Sequence, residues 1–243
     1  MSFALEVNNV SKRFEIPHLK INTLRGAFVN LFQKQSYEKF DALKDISFSV
    51  KKGEFFSIIG KNGSGKSTLL KIIAGIYTPD KGEVKVHCPL SPMLELGIGF
   101  NPELSGRDNV FVNGLVLGLS KKEISDKFKD IVAFAGLERF IDQRLKNYSS
   151  GMAARLAFSV MIHSDKDFLL IDEVLAVGDT EFQAKCTEYF IKAISEGKTI
   201  VFVSHGLDPV QQYSNRVMLL HKGEILEIGE PQKVIQTYLE KCN

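Results

Sequence analysis

Residues 60–67 read G-K-N-G-S-G-K-S, with Thr68 next, and fit the spacing G-x-x-x-x-G-K-S. Those types in that order serve one chemistry, a grip on a chain of phosphates. Glycines let the backbone curl until its N–H groups face inward on phosphate oxygens, and a helix starting at the end of the loop adds positive potential. Lys66 can neutralise charge on β- and γ-phosphates, which places it in catalysis as well as binding, and the Ser67 hydroxyl can ligate Mg²⁺. Nucleotide contact is accordingly expected along the run from Gly60 to Thr68, which includes Asn62, Gly63, Ser64, Gly65, Lys66 and Ser67.

A second group closes the apolar run at the head of D-F-L-L-I-D-E-V-L-A-V-G-D, residues 167–179. Asp172, at the end of that run, can hold Mg²⁺ through water, and Glu173 is placed to orient or deprotonate an attacking water. Two acids ending a strand in solvent are the plainer alternative, and the phosphate loop in the same chain argues for the catalytic one. A third run, K-T-I-V-F-V-S-H, ends in His205. On a parallel sheet that histidine emerges at the ligand edge, where a structural hydrogen-bonding histidine is the competing reading.

These groups meet only if the strands carrying them end at one edge. F-F-S-I-I leads into the loop and T-L-L-K-I-I leaves it with a helical pattern, while F-L-L-I and T-I-V-F-V are continuous apolar runs of the kind covered on both faces. An ordinary apolar share of 44% over 243 residues, without internal repeats or low-complexity tracts, suits one large domain with subdomains. Formal net charge is +2, so no global field points to nucleic acid, although residues 12–39 hold six Lys or Arg against two Glu. Cys88, Cys186 and Cys242 are odd in number and far apart, which suits neither a disulfide framework nor a paired-ligand metal site; they read as reduced thiols of a cytosolic protein. The opening M-S-F-A-L-E-V-N-N-V lacks the basic start and long apolar core of a secretion signal, and no segment approaches the roughly 18 to 20 apolar residues of a membrane span.

Between loop and acids lies N-Y-S-S-G-M-A-A-R-L-A-F-S-V-M-I, residues 147–162. Read without context, Ser-Ser-Gly before that helical run is an N-cap. With the other motifs, the order resembles the ATP-binding-cassette family: Walker A at Gly60 to Thr68, a signature loop at Tyr148 to Met152, Walker B at Phe168 to Asp172, the adjoining Glu173, a D-loop ending in Asp179, and the switch histidine His205. The usual signature is L-S-G-G-Q, and Y-S-S-G-M keeps only Ser149 and Gly151 of its phosphate-facing set. The resemblance implies that Ser149 and the Gly151 N–H meet the γ-phosphate of a second, head-to-tail copy. It also implies that Phe14, in V-S-K-R-F, stacks on adenine, for which strand-end packing is the alternative.

The variants Y-S-S-G-M-x-x-R-L-x-F, L-E-L-G-I-G-F-N-P-E-L-S-G-R-D-N-V and D-E-V-L-A-V-G-D are similar to those of ATPase subunits that export O-antigen, capsular polysaccharide or teichoic acid. Where other cassettes carry a Gln, this chain reads Glu95 and Leu96; Glu95 is the candidate for sensing Mg²⁺ through water, with a plain loop acid as the alternative. Some of these ATPases continue into a glycan-binding β-sandwich, and the end at Asn243 leads to the expectation of no such recognition here.

The implied fold class is α/β, a P-loop NTPase of the ATP-binding-cassette type. It has a mostly parallel core sheet, an antiparallel β subdomain and a helical subdomain at about 102–160, all within one domain, residues 1–243. Implied cofactors are ATP and Mg²⁺. Implied partners are a second copy in a homodimer, an integral-membrane permease at the cytoplasmic face of the inner membrane, and, indirectly, a lipid-linked polysaccharide. Nucleic acid is not expected: cassettes acting on it or on ribosomes usually fuse two cassettes or carry long coiled coils. A phosphoryl-transferring kinase would need an acceptor pocket, for which no segment is left. The stretch N-T-L-R-G-A-F-V-N-L-F-Q-K, residues 22–34, puts Leu24, Phe28, Leu31 and Phe32 on one helical face. It is expected to form an extra amphipathic helix that either packs on its own β layer or lies at the membrane interface beside the permease.

Overall fold

Phe55–Ile59 and Thr199–Val203 have no polar face to offer water, and in the computed structural model every residue of both strands is buried. The structure describes residues 2–17, 37–93, 97, 99–172, 178–204 and 206–242. In chain order these form β1 (Phe3–Pro17), β2 (Tyr37–Lys51), β3 (Phe55–Ile59), α1 (Lys66–Ile73), β4 (Lys81–Val86) and β5 (Leu90–Met93). Three helices follow, α2 (Gly106–Val116), α3 (Lys121–Ala135) and α4 (Ser150–Ile162). The chain then returns to the sheet through β6 (Phe168–Asp172), α5 (Thr180–Ser195), β7 (Thr199–Val203), α6 (Leu207–Tyr213), β8 (Arg216–His221), β9 (Glu224–Gly229) and α7 (Pro231–Lys241). The expected amphipathic helix at 22–34 lies outside the described residues.

Two sheets result. The larger runs β5-β6-β7-β3-β8-β9, parallel throughout except for β9, and the smaller is an antiparallel sheet in the order β2-β1-β4. Alternation along β3 divides the interior. Phe55 and Ile59 enter one core, with Leu169, Ile171 and Phe202, under Phe158, Phe182 and Val234 from α4, α5 and α7. Phe56 and Ile58 enter the other, with Leu170 and Val203, under Leu69 and Leu70 of α1 and the inner face of the small sheet, Leu5, Val7 and Ile46. At about 1.5–3 kcal/mol for each large apolar side chain removed from water, these two cores dominate the fold's favourable energy. The α/β class with a parallel core and an antiparallel layer is what the sequence led us to expect.

A third core holds the helical subdomain, where Val110, Ile124, Ile131 and Leu137 close around Leu156 and Val160. Its helices begin where the sequence supplies caps: Ser105 accepts from the Asp108 N–H, and Ser120 forms a reciprocal capping box with Glu123. α4 belongs to two cores at once. Leu156 and Val160 face the helical subdomain, while Phe158, Met161 and Ile162 face the parallel sheet, so α4 joins the two cores.

Just before α4, residues 141–146 pair with 102–106. The Gly106 N–H donates to Gln143 O at 2.9 Å, and the Leu145 N–H to Leu104 O at 2.9 Å. Tyr148 locks this pairing by donating its hydroxyl to Phe140 O at 2.8 Å. Its ring fits because residue 106 has no side chain: a Cβ there would stand 2.2 Å from the Tyr148 hydroxyl and 2.9 Å from Ile141 O. Gly106→Ala pits helix propensity, worth up to about 1 kcal/mol in favour of Ala, against overpacking of about 1–3 kcal/mol. Because the contact includes a backbone carbonyl, overpacking should win and the variant should unfold at lower urea. In a Tyr148→Leu background the same change should cost measurably less; equal costs in both backgrounds would show that glycine and ring are not coupled.

Candidate functional site

β3 delivers the chain to the phosphate-type loop, and α1 carries it away. Gly60 adopts φ 154° and Gly65 φ 108°, values that side-chain-bearing residues rarely take. Both are also crowded from outside. A Cβ at Gly60 would sit 2.1 Å from Leu220 O, and one at Gly65 would sit 2.6 Å from Ala42 O. The loop is further tied by the turn between β8 and β9: the Gly223 N–H donates to Ser64 O at 2.9 Å, and Gly223 O accepts from the Lys44 N–H at 2.8 Å. A short relay of hydrogen bonds thus connects the small sheet, through that turn, to the loop.

Inside the loop, Lys66 is buried and donates from its ammonium to Gly60 O at 2.6 Å and Lys61 O at 2.9 Å. The Ser64 hydroxyl oxygen is buried with no hydrogen-bond partner among the described residues. A cavity of about 410 Å³ opens over this arrangement, within the usual range for small-molecule sites. Asn62, Gly63, Gly65, Lys66, Ser67 and Thr68 line it, together with Asp172 from the end of β6 and Phe40 and Ala42 from β2. Two larger clefts, of about 570 and 540 Å³, lie at the base of the β1–β2 ribbon and between α3 and α5. Both are walled by mixed acids and bases and contain no loop of this kind, so chemistry rather than volume selects the smaller cavity.

The residues present fit a nucleoside triphosphate and its metal. A turn closed to side chains at Gly60 and Gly65, with a lysine ammonium held inside it on the wall of the cavity, suits phosphate oxygens. The Ser67 hydroxyl and the Asp172 carboxylate, two hard oxygen donors on one cavity, suit Mg²⁺.

The other expected site residues divide into three groups. Gly60 and Ser64 do not line the cavity and pack together against Leu220 of β8. Ser149 and Gly151 do not line it: Ser149 accepts from the Met152 N–H at 3.1 Å as the N-cap of α4, and a Cβ on Gly151 would have only the Ser149 hydroxyl, at 3.9 Å, nearby. The N-cap reading of Ser149 is therefore realised, and the loop remains open on its outer side. Phe14 does not line the cavity either; it packs edge-on against Tyr77, ring centroids 5.8 Å apart, with the Lys12 ammonium 5.6 Å from its own centroid. Glu95, Glu173 and His205 lie outside the described residues. Asp179 caps α5 by accepting from the Phe182 N–H at 2.9 Å and stands 3.5 Å from Arg155 of α4.

Sequence reasoning missed Phe40, Ala42 and the β8–β9 turn. Phe40 stands directly opposite Phe14 in the β1–β2 ladder, a relation visible only once the register is known. The turn carries a Lys-Gly pair at 222–223 with no motif to distinguish it from any hairpin.

Comparison with known proteins agrees with the site. The family profile described as ABC transporter matches residues 43–176. The ABC transporter protein AbcA of Aeromonas salmonicida is 46% identical over 234 residues, covering 96% of this chain and 75% of that protein. The O-antigen export system ATP-binding protein RfbB of Klebsiella pneumoniae is 41% identical over 241 residues, 98% of each chain. In fold, the chain matches the dimeric post-hydrolysis state of the ATP-binding cassette MJ0796 bound to ADP and Pi, with a TM-score of 0.73 over 93% of this chain and 98% of that one, at 23% identity. With the glycine loop, its buried lysine and the Asp172 carboxylate on one cavity, and with relatives matched along nearly the whole chain, this protein belongs to the ABC transporter family.

Proposed function

We propose that the chain is the ATP-hydrolysing subunit of a transporter that exports a lipid-linked polysaccharide across the cytoplasmic membrane. The observation that carries this reading is the 41% identity to an O-antigen export ATP-binding protein over 98% of both chains, in a protein whose phosphate loop is intact. Two copies work head to tail, and the Ser149–Gly151 loop of one completes the nucleotide site of the other. The outward-facing, cavity-remote position of that loop supports this arrangement.

Within the site, Lys66 and the loop N–H groups hold the phosphates. Ser67 would hold Mg²⁺ directly and Asp172 and Glu95 through water, and the metal would there supply positive charge against the phosphate oxygens. Glu173 orients a water and accepts its proton as the water oxygen bonds to the γ-phosphorus and the bond to the bridging oxygen breaks, releasing ADP and phosphate. His205, which follows β7 in the sequence, assists. ATP closes the pair, product release reopens it, and that cycle works a separate integral-membrane permease. No helix among the described residues is long and apolar enough to cross a membrane. The reading holds the chain at the cytoplasmic face through the permease, and on sequence alone it assigns the basic, amphipathic stretch 22–34 to the interface beside the permease entrance.

Three measurements test this. Glu173→Gln should keep ATP binding and lower steady-state turnover by about 10²- to 10⁴-fold, the worth of a positioned proton acceptor; turnover within threefold of the parent removes Glu173 from that role. Ser149→Arg should abolish hydrolysis while the isolated subunit binds ATP normally, and mixing it with Lys66→Ala should restore at most one working site per pair. Normal hydrolysis by a monomeric Ser149→Arg protein would refute the shared site. Phe28→Asp with Phe32→Asp should reduce glycan export in cells and leave ATPase activity and melting temperature of the isolated subunit nearly unchanged; a collapse of melting temperature instead would assign the stretch to the protein's own core.

A further inference from the structure

We infer that the side-chain amide of Asn109 is a positioning group for the Ser149–Gly151 loop, and so governs hydrolysis in the site of the opposite copy rather than in the site of its own chain. The inference rests on the shared-site reading above and specifies what holds the shared loop in place.

Asn109, one turn into α2, is fully buried, and its amide is committed on both sides. Its Oδ1 accepts from the Asn101 N–H at 2.7 Å, while its Nδ2 donates to Ser105 O at 2.8 Å, Asn101 O at 3.0 Å and Leu104 O at 3.3 Å. One side chain thus closes residues 101–105 into a fixed turn. A group that must accept and donate at once suits an amide; a carboxylate of the same shape would face three carbonyl oxygens with no hydrogen to offer.

That turn is one side of the backbone pairing that leads into the Ser149 loop. Besides the Gly106 and Leu145 N–H groups, the Lys146 N–H donates across it to Pro102 O at 2.9 Å and the Arg107 N–H to Ile141 O at 2.8 Å. The carbonyls of Pro102 and Leu104, which receive Lys146 and Leu145, belong to the segment that Asn109 holds. From there the chain reaches Ser149 through a single short turn, Leu145–Asn147, which the Tyr148 N–H closes on Leu145 O at 2.9 Å. Ser149 is itself exposed, so this pairing and the helix it caps set its place from behind.

The pairing is also spanned from outside, by Lys146–Glu103 at 2.9 Å, Arg144–Glu103 at 3.5 Å and Arg107–Asp142 at 2.7 Å. These pairs are exposed, and water takes over when one is lost. Removing the buried amide instead strips four backbone groups of a partner, so among the polar restraints on this segment Asn109 is the decisive one.

Asn109→Leu matches the amide in size and removes donor and acceptor together. The full-length variant should bind ATP as the parent does and hydrolyse it roughly 10- to 100-fold more slowly, the cost of holding a group about 1 Å out of place. Complementation between impaired variants then tells which site is affected. Mixed with Lys66→Ala, Asn109→Leu should recover turnover, because its own phosphate loop meets the unaltered Ser149 loop of the other chain. Mixed with Ser149→Arg it should not, because each site then contains an altered loop. Tyr148→Phe, which removes only the hydroxyl on Phe140 O, should show the same asymmetry and decides the question if Asn109→Leu does not fold. Ile124→Ala, which opens the same helical core away from the pairing, should lower the melting temperature without that asymmetry. Parental turnover in the folded variant, recovery with Ser149→Arg instead of Lys66→Ala, or recovery with both or with neither would each overturn the inference. If Lys66→Ala and Ser149→Arg fail to complement one another, the shared site falls and the inference falls with it.

Discussion

The carbonyl of Leu220 stands where a side chain on residue 60 would begin, and the carbonyl of Ala42 does the same at residue 65. This exclusion of side chains by neighbouring backbone is the constraint on which the rest of the site depends. It forces glycine at both positions, where φ is 154° and 108°, and presses the loop between the parallel sheet at β8 and the antiparallel sheet at β2. A loop clamped from two sides is preorganised, so a ligand does not have to supply the ordering of its backbone. The β8–β9 turn completes the clamp through Gly223, which explains why a hairpin remote in sequence is part of the nucleotide site.

The second consequence is mechanical. α4 begins at the Ser149 cap, crosses the helical core at Leu156 and Val160, and ends in the sheet core at Met161 and Ile162. Interiors packed at close to crystalline density transmit displacement rather than absorb it. Arg155 of α4, 3.5 Å from Asp179 at the head of α5, and the interlocked rings of Phe134, Phe158 and Phe182 give that helix further attachment on the β6–α5 side. The exposed Arg107–Asp142 pair, by contrast, adds little energy despite its 2.7 Å separation, because water screens it. What fixes the loop before α4 is the Tyr148 hydroxyl on a carbonyl and the space left by Gly106.

Much of the site was legible in the sequence because its chemistry is local. The loop from Gly60 to Thr68 combines glycine conformations, a lysine and hydroxyls within a single turn, and no long-range contact is needed to recognise it. Strands β3, β6 and β7 announce themselves as mainly apolar runs, and Ser149 announces a helix start by the capping chemistry of its side chain. Asp172 could be suspected from its place at a strand end, and the strand order β6-β7-β3 then brings it to the cavity.

Tertiary structure alone decided what depends on register and on close approach. β1 and β2 slip at several points, between Val7 and Val10, between Val10 and Lys12 and between Lys12 and Arg13, and each slip can exchange the face on which the following residues lie. That Phe40 stands opposite Phe14 at all follows from this register, and that Phe40 lines the cavity while Phe14 packs on Tyr77 follows from their neighbours in space. The same holds for Gly106, whose missing side chain matters only because Tyr148 folds back over it, and for Gly223, which reaches the loop only because β8 lies beside β3. Chemistry carried by neighbours in the chain is written in the sequence, whereas chemistry made by neighbours in space waits for the pairing of strands, which the hydrophobic pattern constrains only to a face and not to a partner.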